Sequence, residues 1–278
     1  MELDLKSPIG LFAGNGDFPL QFVRNACARN LAVMVVAHRG ETDPEIEKLA
    51  SECLWVRVGE LGKIVRFLES RGVEQASFVG GIRRARLFSG VRPDLTAIKL
   101  IARLRSVKDD VLLRGVAGEL EARGIQVLGP GILLPDAVPG AGLLTRRGLN
   151  EVEKNDAQIG WEAARAIGAL DIGQAVCVLE GVVTALEAVE GTDGLIRRAA
   201  ALTGRAGVVV KLAKPHQDLR LDLPAVGPET IRLMAECRAT ALVLEAGRAM
   251  MLDPVRVVEL ADQAGIAIVA AGRPDELV

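Results

Sequence analysis

Mostly apolar runs alternate along this chain with stretches of helical period. In the first half the runs fall at residues 9–13, 32–37, 54–58, 76–79 and 126–128. They are apolar apart from Arg57, Ser77 and Gln126 rather than in strict alternation, the mark of strands covered on both faces. Between them Phe22, Val23 and Ala26 continue a helix to about residue 30, a second helix ends near Arg71 with Gly72 as C-cap, and two more occupy 94–104 and 109–123. Strand, helix and strand in succession predict crossover units and a parallel sheet. The second half repeats the class with other details. Helices are expected at 150–170, 194–202, 229–237 and 253–264, with strands at 174–179, 182–186, 207–211, 241–244 and 266–270. Gly181 splits the first two of these strands and allows them to pair antiparallel.

The reading is therefore two α/β domains, an N-terminal Rossmann-like parallel sheet and a C-terminal mixed sheet. Between residues 129 and 148 the chain carries three prolines and five glycines, a shift that marks a linker. We assign residues 1–136 to the first domain, 137–148 to the linker and 149–278 to a second, catalytic domain. Composition agrees with this reading. Apolar residues make up 50% of the 278 and charged residues 25%, while aromatics are only 3%, so the core must be aliphatic. A net charge of −2 leaves no electrostatic footprint for nucleic acid. Cys27, Cys53, Cys177 and Cys237 lie far apart without a CxxC pair and are expected to be buried small hydrophobes in a reducing compartment. The N-terminal residues lack a basic region followed by an apolar run, and no apolar stretch reaches membrane-spanning length. A cytoplasmic protein is expected.

The candidate chemistry centres on LAKPHQDLRLDLPAVG, residues 212–227. The strand 207–211 leads into it, and Pro228 can open a helix after it. Lys211, Lys214, His216, Gln217, Asp218, Arg220 and Asp222 are too polar for core, while Pro215 and Pro224 restrict the backbone. Aspartate oxygens suit Mg²⁺, and lysine and arginine neutralise phosphoryl oxygens. An extended path would put Arg220 and Asp222 on one face. A loop beyond the carboxyl end of a strand is where open α/β sheets bind ligands.

Other pieces are weaker alone. The turn Gly14-Asn15-Gly16 has Pro19 where a dinucleotide fingerprint needs its third glycine, so a nicotinamide cofactor is not expected, but a helix N-terminus there suits an anion. Gly59 to Lys63 does not have P-loop spacing. Arg83, Arg84 and Arg86 form a basic cluster suited to phosphate or to solvent, and Lys108-Asp109-Asp110 stands at a helix start. Glu190-Gly191-Thr192-Asp193 and Glu245-Ala246-Gly247 add acids at two further strand ends, where Thr192 or Asp193 could equally be an N-cap. Two histidines, His38 and His216, cannot build a histidine-rich dinuclear centre, and there is neither a G-x-S-x-G elbow nor an H-E-x-x-H motif.

Lys211, Lys214-Pro215, Gln217-Asp218, Arg220 and Asp222-Leu223-Pro224, closing with Gly227, resemble the signature of the UDP-2,3-diacylglucosamine pyrophosphatases of the LpxI type. The glycine turn at Gly14, the Lys108-Asp109-Asp110 element and Glu190 to Asp193 are similar to further segments of that family, and the resemblance covers nearly the whole chain. It implies Mg²⁺-dependent hydrolysis of UDP-2,3-diacylglucosamine to 2,3-diacylglucosamine 1-phosphate and UMP in lipid A biosynthesis. On that basis Asp222, Lys211, Lys214 and Arg220 are the expected catalytic residues. Gly14, Asn15, Gly16, Lys108, Asp109, Asp110, Thr192, Asp193, Gln217, Asp218 and Gly247 are expected at the substrate. Asp222, Asp193 and Glu190 are the expected metal ligands. The partner implied is a lipid-linked UDP-sugar; peripheral contact with the inner membrane and a homodimer are left open. So are a pyrophosphatase for another nucleotide-sugar and a non-catalytic nucleotide-binding module.

Overall fold

The structure, a computed structural model, describes residues 4–82, 93–104 and 109–277, with only the backbone at 109 and 110. The chain divides into two units. One comprises Met1–Pro135 together with Asp218–Asp222, and the other Asp136–Gln217 and Leu223–Val278.

The N-terminal unit is built on β1 (Ile9–Ala13), β2 (Val33–His38), β3 (Glu52–Val56), β4 (Gln75–Val79) and β5 (Gln126–Leu128). All pair in parallel, in the order β3-β2-β1-β4-β5. This is the Rossmann-type order, in which the chain reverses direction across the sheet between β1 and β4. Its helices are α1 (Phe18–Ala28), the short α2 (Ile46–Leu49), α3 (Leu61–Ser70), α4 (Leu95–Arg103) and α5 (Asp109–Glu121). The strands β1, β2 and β4 are buried at every position, as expected for strands covered on both faces. Phe12 and Phe78 stack at 4.3 Å in a core made mostly of aliphatic side chains.

The C-terminal unit holds β6 (Gly142–Leu143), α6 (Glu151–Ala169), β7 (Ala175–Leu179), β8 (Val182–Leu186), α7 (Gly191–Thr203) and β9 (Gly207–Lys211). It continues through β10 (Ala225–Val226), α8 (Pro228–Glu236), β11 (Ala239–Glu245), β12 (Met250–Met251), α9 (Pro254–Ala264) and β13 (Ala267–Ala271). Its mixed sheet runs β6-β13-β11-β9-β7-β8. The strands β13, β11 and β9 are parallel, and β7 pairs antiparallel with both β9 and β8. Val208 and Val210 pack with Trp161 of α6 on one face, while Val209 packs with Leu195 and Ile196 of α7 on the other. That split is the period-two alternation of a central strand, and each such buried side chain contributes about 1.5–3 kcal/mol. The helix α6 comes unusually close: a Cβ on Gly160 would overlap Val210 Cγ2.

Two expectations change. The stretch read as a linker is partly structured, because β6 adds an antiparallel edge strand to β13. Of the four cysteines, all free thiols, only Cys177 is buried, its pKa pushed up to about 12 by burial, whereas Cys27 is exposed and Cys53 and Cys237 are half-buried. No helix among the described residues is long and apolar enough to cross a membrane.

Candidate active site

The loop after β9 is held at its start by side chains from two other elements. Leu212 N–H donates to Gln174 O at 2.9 Å, one step beyond the ladder. Ala213 N–H then donates to Glu245 Oε2 at 3.1 Å, and Arg165 Nη1 donates to Ala213 O at 3.2 Å. Arg165 Nη2 closes the triangle on Glu245 Oε1 at 2.7 Å. Lys211 is buried, and its Nζ donates to Ala225 O at 2.6 Å. Lys214 N–H donates to Gln217 Oε1 at 3.0 Å, and Lys214 Nζ lies 2.6 Å from Asp171 Oδ1. Gly168 on α6 lets this stretch lie against the helix, with Lys214 Cα and Pro215 Cδ close to where its Cβ would be.

Residues 218–222 form a turn rather than an extended segment. Leu221 N–H and Asp222 N–H both donate to Asp218 O, at 2.9 and 3.2 Å. Arg220 therefore folds back onto Asp218, with Nε at 3.1 Å from Oδ1 and Nη2 at 2.8 Å from Oδ2, while its Nη1 reaches Glu121 Oε1 at 2.7 Å. The Arg220 guanidinium holds the Asp218 carboxyl below its ordinary value, and the two carboxylates raise that of Arg220. The expected face shared by Arg220 and Asp222 is thus not formed, because the turn's own hydrogen bonds satisfy the backbone locally. Leu221 is buried in the core of the N-terminal unit, and its neighbour Asp222 is exposed.

After β8, Glu187 is buried and accepts from Gln174 N–H and Thr192 Oγ1–H, both at 3.0 Å. Glu190 accepts from Ala188 N–H at 3.2 Å and pairs with Arg198, whose hydrogen bond holds its carboxyl below the ordinary value. Asp193 sits exposed in the first turn of α7. After β11, Gly247 adopts φ +69° and donates to Pro139 O at 2.9 Å, and Arg248 Nε lies 2.9 Å from Glu245 Oε1.

Register places these pieces together. Lys211 lies opposite both Ala175 and Leu244, Val176 opposite Leu186, and Glu245 opposite Ala271. Consequently β8, β9 and β11 all deliver their following loops, at 187–193, 211–217 and 245–248, to one edge of the sheet. That is the carboxyl edge, where α/β proteins bind ligands.

The N-terminal unit has its own loop cluster at the point where strand order reverses. Gly14 N–H donates to Val79 O, and Asn15 N–H to Gly81 O, each at 2.8 Å. A Cβ on Gly14 would fall on the backbone of Gly80 and Gly81, so two backbones meet here with no room for side chains. Asn15 Nδ2 donates to Glu41 Oε2 at 3.1 Å, and Gly16, at φ +84°, leads exposed into α1. His38 is buried beneath the turn with Nδ1 3.1 Å from Ala13 O, and burial lowers its pKa against that contact and Glu41. Lys108 and the cluster Arg83, Arg84 and Arg86 lie outside the described residues, and Asp109 and Asp110 are described only as the opening of α5.

Among the described residues no three His, Cys, Asp or Glu side chains form a group able to hold a metal. Mg²⁺ needs only one or two carboxylates when substrate phosphates and water complete its shell. Of the expected ligands, Asp222 and Asp193 are exposed, and Glu190 is engaged by Arg198. Sequence reasoning missed Arg165, Asp171, Glu187 and Arg248. Arg165 and Asp171 lie on and just after a helix that gives no local hint of its target. Glu187, directly after β8, and Arg248, three residues after β11, did carry a signal as charged residues close to strand ends.

Family models match both halves of the chain, the LpxI N-terminal domain over residues 8–137 and the LpxI C-terminal domain over 140–269. A UDP-2,3-diacylglucosamine pyrophosphatase LpxI from Caulobacter vibrioides is 34% identical over 271 residues, covering 94% of this chain and 96% of the relative. Among solved structures, the biotin carboxylase domain of the Hydrogenobacter thermophilus 2-oxoglutarate carboxylase aligns at 15% identity and TM-score 0.29, over 73% of this chain and 43% of that one. N5-carboxyaminoimidazole ribonucleotide synthetase from Thermus thermophilus aligns at 14% identity and TM-score 0.28, over 71% and 45%. The chain spans less than half the length of these two structures, and likeness at that level decides nothing about fold or chemistry.

Proposed function

The chain belongs to the LpxI family, and on that premise we propose that it hydrolyses UDP-2,3-diacylglucosamine to 2,3-diacylglucosamine 1-phosphate and UMP in lipid A biosynthesis. The observation that carries this reading is the 34% identity with the Caulobacter vibrioides pyrophosphatase across nearly the whole of both chains. The gathering of loops 187–193, 211–217 and 245–248 at one carboxyl edge supports it, since these hold Lys211, Lys214 and Gln217 of the family signature together with Glu190 to Asp193. Water attacks one phosphorus of the pyrophosphate, its oxygen stays on that product, and the bridging oxygen leaves with the other. Asp222 orients the water and accepts its proton. Its exposed position at the end of a hydrogen-bonded turn suits a group that must meet a substrate.

Lys211 and Lys214 stabilise the charge that grows on the phosphoryl oxygens. Arg220, the third expected cation, holds the turn through Asp218 and Glu121. Gly14, Asn15 and Gly16 offer a phosphate-sized approach to backbone, and Thr192, Gln217 and Gly247 line the substrate. Mg²⁺ at Asp222, with substrate oxygens, would supply further charge neutralisation. The substrate's acyl chains bring the protein into peripheral contact with the inner membrane.

Turnover of a panel of UDP-sugars, with and without Mg²⁺, tests the assignment. Release of UMP from the diacylated substrate, well above that from UDP-glucosamine, is expected. Preference for an unacylated nucleotide-sugar would move the activity to another substrate, and binding without turnover would leave only a nucleotide-binding module.

A further inference from the structure

Glu245 carries more positive charge around it than it can neutralise. Its side chain is buried, with Arg165 Nη2 2.7 Å and Arg248 Nε 2.9 Å from the same oxygen, Oε1. Two guanidiniums against one carboxylate leave one positive charge uncompensated within this cluster. The two arginines are not equivalent. Arg165 is committed, with Nη1 on Ala213 O, Nη2 on Glu245 and its guanidinium 5.7 Å from the ring centre of Trp161. Arg248 approaches Glu245 without hydrogen-bond geometry, and its Nε is buried with no hydrogen-bond partner among the described residues. About a third of its side chain (35%) remains exposed. A buried guanidinium nitrogen left unsatisfied beside an excess charge is costly unless something else completes it.

The backbone presenting Arg248 is fixed on both sides. Glu245 is the last residue of β11, Gly247 donates to Pro139 O, Arg248 N–H returns to Glu245 O at 3.1 Å, and Met250 N–H donates to Pro224 O at 2.8 Å. Met250 pairs with Ala225, the residue whose carbonyl receives Lys211 Nζ. Arg248 and Lys211 are therefore presented from the same corner of the carboxyl edge.

We propose that Arg248, oriented by Glu245, is a phosphate-binding residue of this site, its planar fork taking two oxygens of a phosphate monoester. The fork matches phosphate geometry in a way the point charge of a lysine does not. This deepens the reading above and rests on it for the source of the phosphate, which is either the nucleotide or the sugar 1-phosphate. The intact chain and its Arg248→Ala and Arg248→Gln variants are titrated calorimetrically with UMP and, separately, with glucosamine 1-phosphate. Loss of about tenfold or more in affinity for one probe is expected, the scale of a charge-assisted hydrogen bond; the probe affected identifies the source. Arg248→Gln keeps a donor beside Glu245 and is read if the alanine variant unfolds at a lower temperature. Unchanged affinity of a folded variant for both probes overturns the proposal, as does failure of the intact chain to bind either. Arg248-dependent binding in a chain that does not hydrolyse the UDP-lipid would leave the proposal standing and overturn the function instead.

Discussion

Arg165 reaches Glu245 at 2.7 Å, and between them the two side chains hold both backbone polar groups of Ala213. A helix and a strand end are thereby tied to the first turn of the loop that carries the family signature. The neighbouring contact between Lys214 and Asp171 repeats the arrangement one residue later.

Glu245→Ala should destabilise the protein by about 3 kcal/mol or more, because it leaves the Arg165 guanidinium and the Ala213 N–H without their acceptor and removes the carboxylate beside Arg248. Arg165→Leu should cost less, since Glu245 would retain Arg248 and Ala213. Urea unfolding of both variants checks the order; a smaller loss for Glu245→Ala than for Arg165→Leu would contradict it.

A second buried pair gives the stability its acid limb. Arg147 uses all five donors: Nε on Gly265 O, Nη1 on Gly148 O and Glu153 Oε2, Nη2 on Glu153 Oε1 and Thr240 O. Burial alone would push the Glu153 carboxyl up, but the hydrogen bonds from Arg147 and the Asn150 backbone outweigh it and hold the group below its ordinary 4.5. A depressed carboxyl contributes stability above its unfolded value and loses it as pH falls through the folded one. Stability should therefore decline on the acid side of 4.5, and Arg147→Met should be both less stable and flatter there. Unfolding midpoints from about pH 7 down to about pH 3 report both effects.

The glycine turn makes a steric prediction. Gly14→Ala places a Cβ against the backbone of Gly80 and Gly81, which has no rotamer through which to yield. A loss of about 1–3 kcal/mol, the range for overpacking, is expected. Gly16→Ala is strained through its φ of +84° but meets no atom, so it should cost about 1 kcal/mol. Thermal unfolding of the pair separates steric overlap from backbone strain.

The longer elements were legible because most of their strands are apolar runs bounded by glycine or by charge, and their helices have a clear period. Antiparallel pairing of β7 and β8 followed from the single break at Gly181. The pairs β10–β12 and β6–β13 were not legible, since two-residue strands carry no periodicity. Candidate site residues were visible where polar side chains cluster within one loop. Their anchors were not, because Arg165 meets Ala213 and Glu245 across 48 and 80 residues of sequence. The turn at 218–222 escaped because Leu221 makes it a core segment of the N-terminal unit, which alternating polarity does not reveal.

Leu221 and Asp222 allow folding and the proposed chemistry to be tested at two adjacent residues. Leu221 is 6% exposed and lies among core side chains, so Leu221→Ala should cost about 2–5 kcal/mol. Asp222 is exposed, and its backbone N–H, not its side chain, donates to Asp218 O at 3.2 Å. Asp222→Asn preserves that backbone bond and the side-chain size while removing the charge and the ability to take a proton. If the carboxylate orients and deprotonates the attacking water, turnover should fall by about 10²-fold or more in both Asp222→Asn and Asp222→Ala. UMP binding should persist, because Lys211 and Lys214 remain. Single-turnover hydrolysis at saturating Mg²⁺, with UMP titration and urea unfolding in parallel, separates these effects. Turnover by Asp222→Asn within a few-fold of wild type would remove Asp222 from the reaction and leave the turn with only its structural role.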